Sequence, residues 1–144
     1  MRHWFTLFII IFLQVNPLYA QKNVKTNSIE INAVEFKNAV WDYTENENDF
    51  EYKGKKPAVV CFYSPLSTTN KASISILDEL GKESKGKFDV YKVNSEQEKE
   101  LIRLFQIKEC PAYLFITKKG EPQVYVGFKT KEQLAQLIDL TILK

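Results

Sequence analysis

The side chains in this chain that could do chemistry are few: two cysteines, Cys61 and Cys110, and the consecutive hydroxyl and amide residues Ser67-Thr68-Thr69-Asn70. A serine becomes a nucleophile only when an adjacent base takes its proton. The single histidine, His3, lies at the very start of the chain, far from Ser67 in sequence. Ser67 or Thr68 therefore reads better as a helix cap, since both types accept a bond from the free amides of a first turn. Cys61 sits inside the apolar run Ala58-Val59-Val60-Cys61-Phe62-Tyr63 and reads as core. Cys110, in Glu109-Cys110-Pro111, is either a small semi-buried hydrophobe or a usable monothiol. A Cys61–Cys110 disulfide would need Cα atoms within about 7 Å and converging Cβ vectors, which neighbouring strands do not guarantee. There is no Cys-x-x-Cys, glycine-rich phosphate loop or histidine cluster, so neither a cofactor nor a metal is expected.

The elements that must position these residues follow a secretory leader. Residues 1–20 have a short basic start (Arg2, His3), an apolar stretch from Trp4 to Val15, and the exit Asn16-Pro17-Leu18-Tyr19-Ala20. This predicts a signal peptide cleaved after Ala20. The apolar stretch falls short of the roughly 20 residues that span a bilayer, so no stable membrane anchor is expected after cleavage. The product would be secreted across the inner membrane, to the periplasm or the exterior. Cleavage removes Arg2 and leaves 19 basic against 18 acidic residues, a net of +1, which implies no nucleic-acid partner. It also removes His3, and with it any imidazole for general-base or metal chemistry.

Beyond a polar leader, residues 21–28, one α/β domain is expected over residues 29–144. Ile29 and Ile31 alternate as in a short strand, and Val34, Phe36, Val40 and Trp41 suggest a partly apolar helix. Thr44 to Lys56, with Asn46, Asn48, Asp49 and Gly54 among charges, reads as a surface loop. Ala58 to Tyr63 has the look of a strand covered on both faces. Ile74, Leu77 and Leu80 predict a helix that ends between Gly81 and Gly86, and Phe88 to Val93 the next strand. Ser95 and Glu98 predict a capping box before Leu101, Leu104 and Phe105; Thr130 and Gln133 predict another before Leu134, Leu137, Ile138 and Ile142. Ala112 to Thr117 and Gln123 to Gly127 flank Lys118-Lys119-Gly120-Glu121-Pro122 as a hairpin. This order predicts a mixed central sheet flanked by helices.

The order and spacing resemble a secreted bacterial thioredoxin over almost the whole mature chain. The residues that carry the resemblance are Phe62-Tyr63 ahead of the loop, Lys71 and Ile76-Leu77-Asp78-Glu79-Leu80 in the helix, Ile107-Lys108-Glu109-Cys110-Pro111, and Gly127 after the last strand. The resemblance implies a thioredoxin-like fold with a cis peptide before Pro111. It places Ser67 at the family's nucleophilic cysteine and Asn70 at its resolving cysteine. Thr68 and Thr69 fall on the Gly-Pro pair between them, Leu66 on the preceding tryptophan, and Cys61 on the buried acid that moves protons. All parts of the redox device are then changed together. A serine hydroxyl has no accessible anion at neutral pH and forms no disulfide, so no catalytic residue is expected in the loop.

The resemblance further implies a peptide groove bordered by Leu66, Ser67, Cys110, Pro111, Gly127 and Phe128, with the Cys110 backbone pairing with bound peptide. The helix N-terminus beside Cys110 would depress its pKa and make it a candidate thiol. The aromatic residues Tyr63, Tyr113, Phe115, Tyr125 and Phe128 suggest a ligand surface, but at strand spacing about half of them must face the core. Three functions are compatible with these residues. The first is a noncatalytic protein that binds an extended peptide or protein partner by strand pairing along the groove. The second is an atypical thiol-disulfide oxidoreductase acting through Cys110, alone or with Cys61. The third is a purely structural subunit.

Overall fold

A computed structural model of the chain describes residues 27–144 apart from 118, 120 and 121. The predicted signal peptide and residues 21–26 of the leader lie outside the described residues. Five strands form one sheet: β1 (Ile29–Glu30), β2 (Ala58–Tyr63), β3 (Asp89–Asn94), β4 (Ala112–Ile116) and β5 (Gln123–Val126). Their spatial order is β1-β3-β2-β4-β5. β3 runs parallel to both β1 and β2, whereas β4 is antiparallel to β2 and to β5. The sheet is mixed, as the sequence predicts.

Helices α1 (Ala33–Ala39) and α3 (Lys99–Leu104) accompany one face; α2 (Thr68–Glu83) and α4 (Lys131–Thr141) cover the other. The pleat of β2 explains why a continuous apolar run is needed there. Ala58, Val60 and Phe62 enter the core shared with Phe36 and Leu101, and Val59, Cys61 and Tyr63 enter the core shared with Leu77 and Leu134. All six β2 residues are buried. β4 is likewise buried along its length, so the two strands that carry the site are also the most enclosed.

Helix starts follow local chemistry, with one correction. The Thr130–Gln133 capping box forms at α4 as predicted. A second box, Asn32 with Glu35, opens α1, and the Asn-x-x-Glu spacing in the sequence carries its signal. The predicted Ser95–Glu98 box does not form. Residues 95–97 make a turn, α3 begins at Lys99, and its N-cap Glu98 makes no side-chain capping bond. The reason is tertiary: the Glu98 carboxylate accepts the Ala33 N–H at 2.9 Å, at the N-terminus of α1, while Ser95 N–H donates to the Tyr63 carbonyl at 2.9 Å. Val34, counted toward the apolar face of α1, is 62% exposed, and Phe36 alone in that helix is fully buried.

The start of the domain is pinned to α2. Buried Asp78 accepts the Ser28 N–H at 2.6 Å and its hydroxyl at 3.3 Å. A buried carboxylate needs such partners, and here they fix the segment that leads into β1.

Candidate functional site

The site is built where β2 ends, α2 begins and β4 starts. Ser67 is the N-cap of α2, with extended backbone, and its hydroxyl oxygen accepts the Asn70 N–H at 3.3 Å. Ser67 thus takes the capping role that the sequence allowed to Ser67 or Thr68. Thr68 and Thr69 are exposed, and Leu66 is 88% exposed.

Asn70 behaves differently from its neighbours. It is 4% exposed, and both functions of its side-chain amide are used. Its Oδ1 accepts the Ser64 N–H at 2.9 Å; its Nδ2 donates to Ser67 Oγ at 2.9 Å and to the Cys110 carbonyl at 3.4 Å. One side chain therefore ties the end of β2, the helix cap and the loop before Pro111. The sequence named Asn70 only as a changed position; nothing local in Ser-Thr-Thr-Asn signals a bond to a residue forty positions away.

The Cys110–Pro111 peptide is cis, as the resemblance implied. Pro111 is buried at the entry to β4, and its carbonyl accepts the Gly127 N–H at 2.8 Å. Gly127 has φ +92°, left-handed backbone that favours glycine, at the exit of β5. Phe128 follows at 47% exposed.

The expected groove residues divide. Ser67 and Cys110 line a cleft of about 350 Å³ with Ser64, Asn70, Ser95 and the α3 side chain of Ile102. Leu66, Pro111, Gly127 and Phe128 do not line it. Leu66 and Phe128 are exposed, Gly127 is half-buried and Pro111 is buried, so only the first two of these four offer open side-chain surface. Ser95 and Ile102 are additions that sequence reasoning missed, because Ser95 reads as a helix cap and the apolar face of α3 as packing. Charges of both signs edge the cleft: Lys99 lies 3.6 Å from Glu96, and Lys108 and Glu109 stand nearby. Of the aromatic set, Tyr63, Tyr113 and Phe115 are buried in the α2/α4 core, while Tyr125 packs edge-on to Phe115 at 5.2 Å.

The thiols do not behave as the resemblance implied. Cys110 is half-buried, and burial pushes its pKa up; a hydrogen bond with the Ser95 hydroxyl opposes this, Glu96 and Glu109 add to it, and Lys99 reduces it. The predicted depression by the helix N-terminus is therefore corrected to an elevation: the Asn70 amide and the capped first turn direct their donors to Ser67 Oγ and the Cys110 carbonyl, not to the sulfur. Cys61 is fully buried and its thiol is pushed up strongly, by burial first and by Cys110 second. Both cysteines are free. Among the described residues, no three His, Cys, Asp or Glu side chains converge as a metal site, and no helix is long and apolar enough to cross a membrane.

A β1-β3-β2-β4-β5 mixed sheet, helices on both faces, and a cis-proline facing the N-terminus of α2 define a thioredoxin fold. The Thioredoxin family model matches residues 29–140, and the chain belongs to that family. It is 28% identical over 111 residues to a thioredoxin of Borreliella burgdorferi, covering 77% of this chain and 94% of the relative. It is 30% identical over 82 residues to a thioredoxin of Staphylococcus haemolyticus, covering 56% of this chain and 78% of that one. The crystal structure of chloroplastic thioredoxin z shares the fold with a TM-score of 0.64 at 14% identity, over 79% of this chain and 93% of that chain.

Proposed function

We propose that this chain is a noncatalytic thioredoxin-like protein of the cell envelope that binds an extended peptide or protein partner along the groove beside Cys110–Pro111. The observation that carries this reading is Asn70. In the alignment with the family it stands at the resolving cysteine, and its amide is fully engaged in hydrogen bonds that join the two sides of the groove. The scaffold is kept, while the loop holds hydroxyl and amide groups where dithiol chemistry needs sulfur. The envelope location rests on the signal-like residues 1–20. The partner class rests on the exposed rim of Leu66 and Phe128 beside a cleft, which suits an extended backbone with alternate side chains set down on either side.

An oxidoreductase acting through Cys110 draws support from that thiol's place in the cleft next to Ser67. Its raised pKa lowers the thiolate fraction, and a mixed disulfide there has no neighbouring thiol to resolve it. The deciding experiment is capture of envelope proteins on the mature chain and on Cys110→Ser, each with and without reductant. Capture that survives both changes supports groove binding. Capture lost together with reductant-sensitive adducts supports the thiol enzyme instead.

A further inference from the structure

The two walls of the groove come from distant parts of the chain: the Ser64 to Asn70 loop after β2, and the Cys110–Pro111 turn before β4. In β2 and β4 themselves, pairing ends at Phe62 with Ala112, so the ladder does not hold the walls together beyond that point. What spans the remaining gap is the Asn70 side chain. Its amide has two donors and one acceptor, and each is used: Ser67 Oγ and the Cys110 carbonyl take the donors, and the Ser64 N–H supplies the acceptor's partner. At 4% exposure the side chain is largely shielded from solvent.

We infer that Asn70 is the positioning residue of the groove: its side-chain amide clamps the Ser64–Ser67 loop to the Cys110 carbonyl and so fixes the distance and direction between the two walls. The clamp contains amide, hydroxyl and carbonyl groups and no sulfur, so the groove keeps one geometry whatever the redox state of its compartment. A carbonyl has two lone pairs, and with one taken by Asn70 the other stays available for a peptide N–H. Only this last consequence rests on the groove reading; the clamp itself does not.

The clamp is tested on the mature chain in solution by amide NMR. In the wild-type protein the two Asn70 side-chain amide hydrogens should exchange at least about tenfold more slowly than those of exposed Asn48. In Asn70→Asp at pH 7, the carboxylate keeps an acceptor for Ser64 but cannot donate to the Cys110 carbonyl. The Ser64 and Cys110 backbone resonances should shift, and the Cys110 thiol should alkylate several-fold faster. Near pH 4 the acid form regains a donor, and the resonances should return toward their wild-type positions through a step larger than any that the wild type and Asn70→Leu show, with Glu96 and Glu109 beside the cleft in all three. With the carboxymethylated insulin B chain as an extended, thiol-free probe, both variants should bind about tenfold more weakly, the scale of one lost buried hydrogen bond with its unpaired partner. Wild-type affinity should not change on adding reductant. Asn70 side-chain hydrogens that exchange as fast as those of Asn48 would overturn the clamp, and so would a folded Asn70→Asp variant with unmoved Ser64 and Cys110 resonances. If neither variant folds, the wild-type exchange rates decide. A protected Asn70 in a protein that binds no probe would support the clamp while removing the groove reading.

Discussion

Cys61 and Cys110 face opposite sides of the central sheet. Cys61 lies among Val59, Tyr63, Leu77 and Tyr113 beneath α2 and α4, whereas Cys110 packs at the margin of the core beneath α1 and α3. Two sulfurs separated by a packed sheet cannot form the bond that a disulfide's narrow geometry requires. The two thiols thus lie in different surroundings, and neither has a redox partner within the chain.

The first expectation follows directly. The mature chain should not accelerate the reduction of insulin by dithiothreitol above the rate of free thiol. Turbidity or thiol-release assays check this, and turnover above background would overturn the noncatalytic reading.

Thiol reactivity should separate the two cysteines. Cys110, half-buried with its pKa raised, should alkylate at pH 7 more slowly than an unstructured cysteine, yet well before Cys61. Cys61 should react only on the timescale of unfolding. Mass spectrometry of the alkylated chain, with and without denaturant, gives both rates.

Stability should fall in mild alkali. The folded pKa of Cys61 lies above its unfolded value, so its contribution is intact below the unfolded pKa of about 8.5. As pH rises from there, the unfolded state ionises first and stability drops by up to about 1.4 kcal/mol per pH unit. Tyr63, pushed up to about 12 by burial and its bond to Glu30, should add its own loss at higher pH. Urea melts from pH 8 to 10 should show the slope, and Cys61→Ala should flatten it over the first part of that range. An equal slope in the variant would assign the effect elsewhere.

The cap and the core of α2 should differ in cost. Ser67→Ala removes the acceptor for the Asn70 backbone N–H and for one Nδ2 hydrogen, and should lower stability by about 1 kcal/mol, as for other serine N-caps. Leu77→Ala, at a fully buried position, should lose about 2–5 kcal/mol through lost burial and the cavity left behind. Denaturant midpoints in parallel decide the order, and a cap variant costing more than the core variant would contradict it.

Restoring sulfur should return part of the family's chemistry. Ser67→Cys with Asn70→Cys should show measurable thiol exchange, at low yield because Leu66 and Cys61 also differ from the family pattern. A folded double variant with no exchange at all would mean that the loop is misaligned with the family motif.

The sequence by itself determined the element order, the double-sided burial of β2, the start of α4 and the family, because each rests on local pattern: apolar runs, helical spacing, a capping box, a proline at a strand start. It also determined that the loop holds no thiol, since that is a matter of composition at four positions. Tertiary structure decided the rest. It moved the start of α3, since the Glu98 carboxylate found an N–H in another helix. The two cysteines fell on opposite faces of the sheet, which requires the register of β2 against β4. The Cys110 thiol went up because its burial outweighs the hydrogen bond from Ser95 and the charge of Lys99. Asn70, marked in the sequence only as a changed position of the family motif, became the tie between two loops, because a hydrogen bond across forty residues is visible only once folding has brought its ends together.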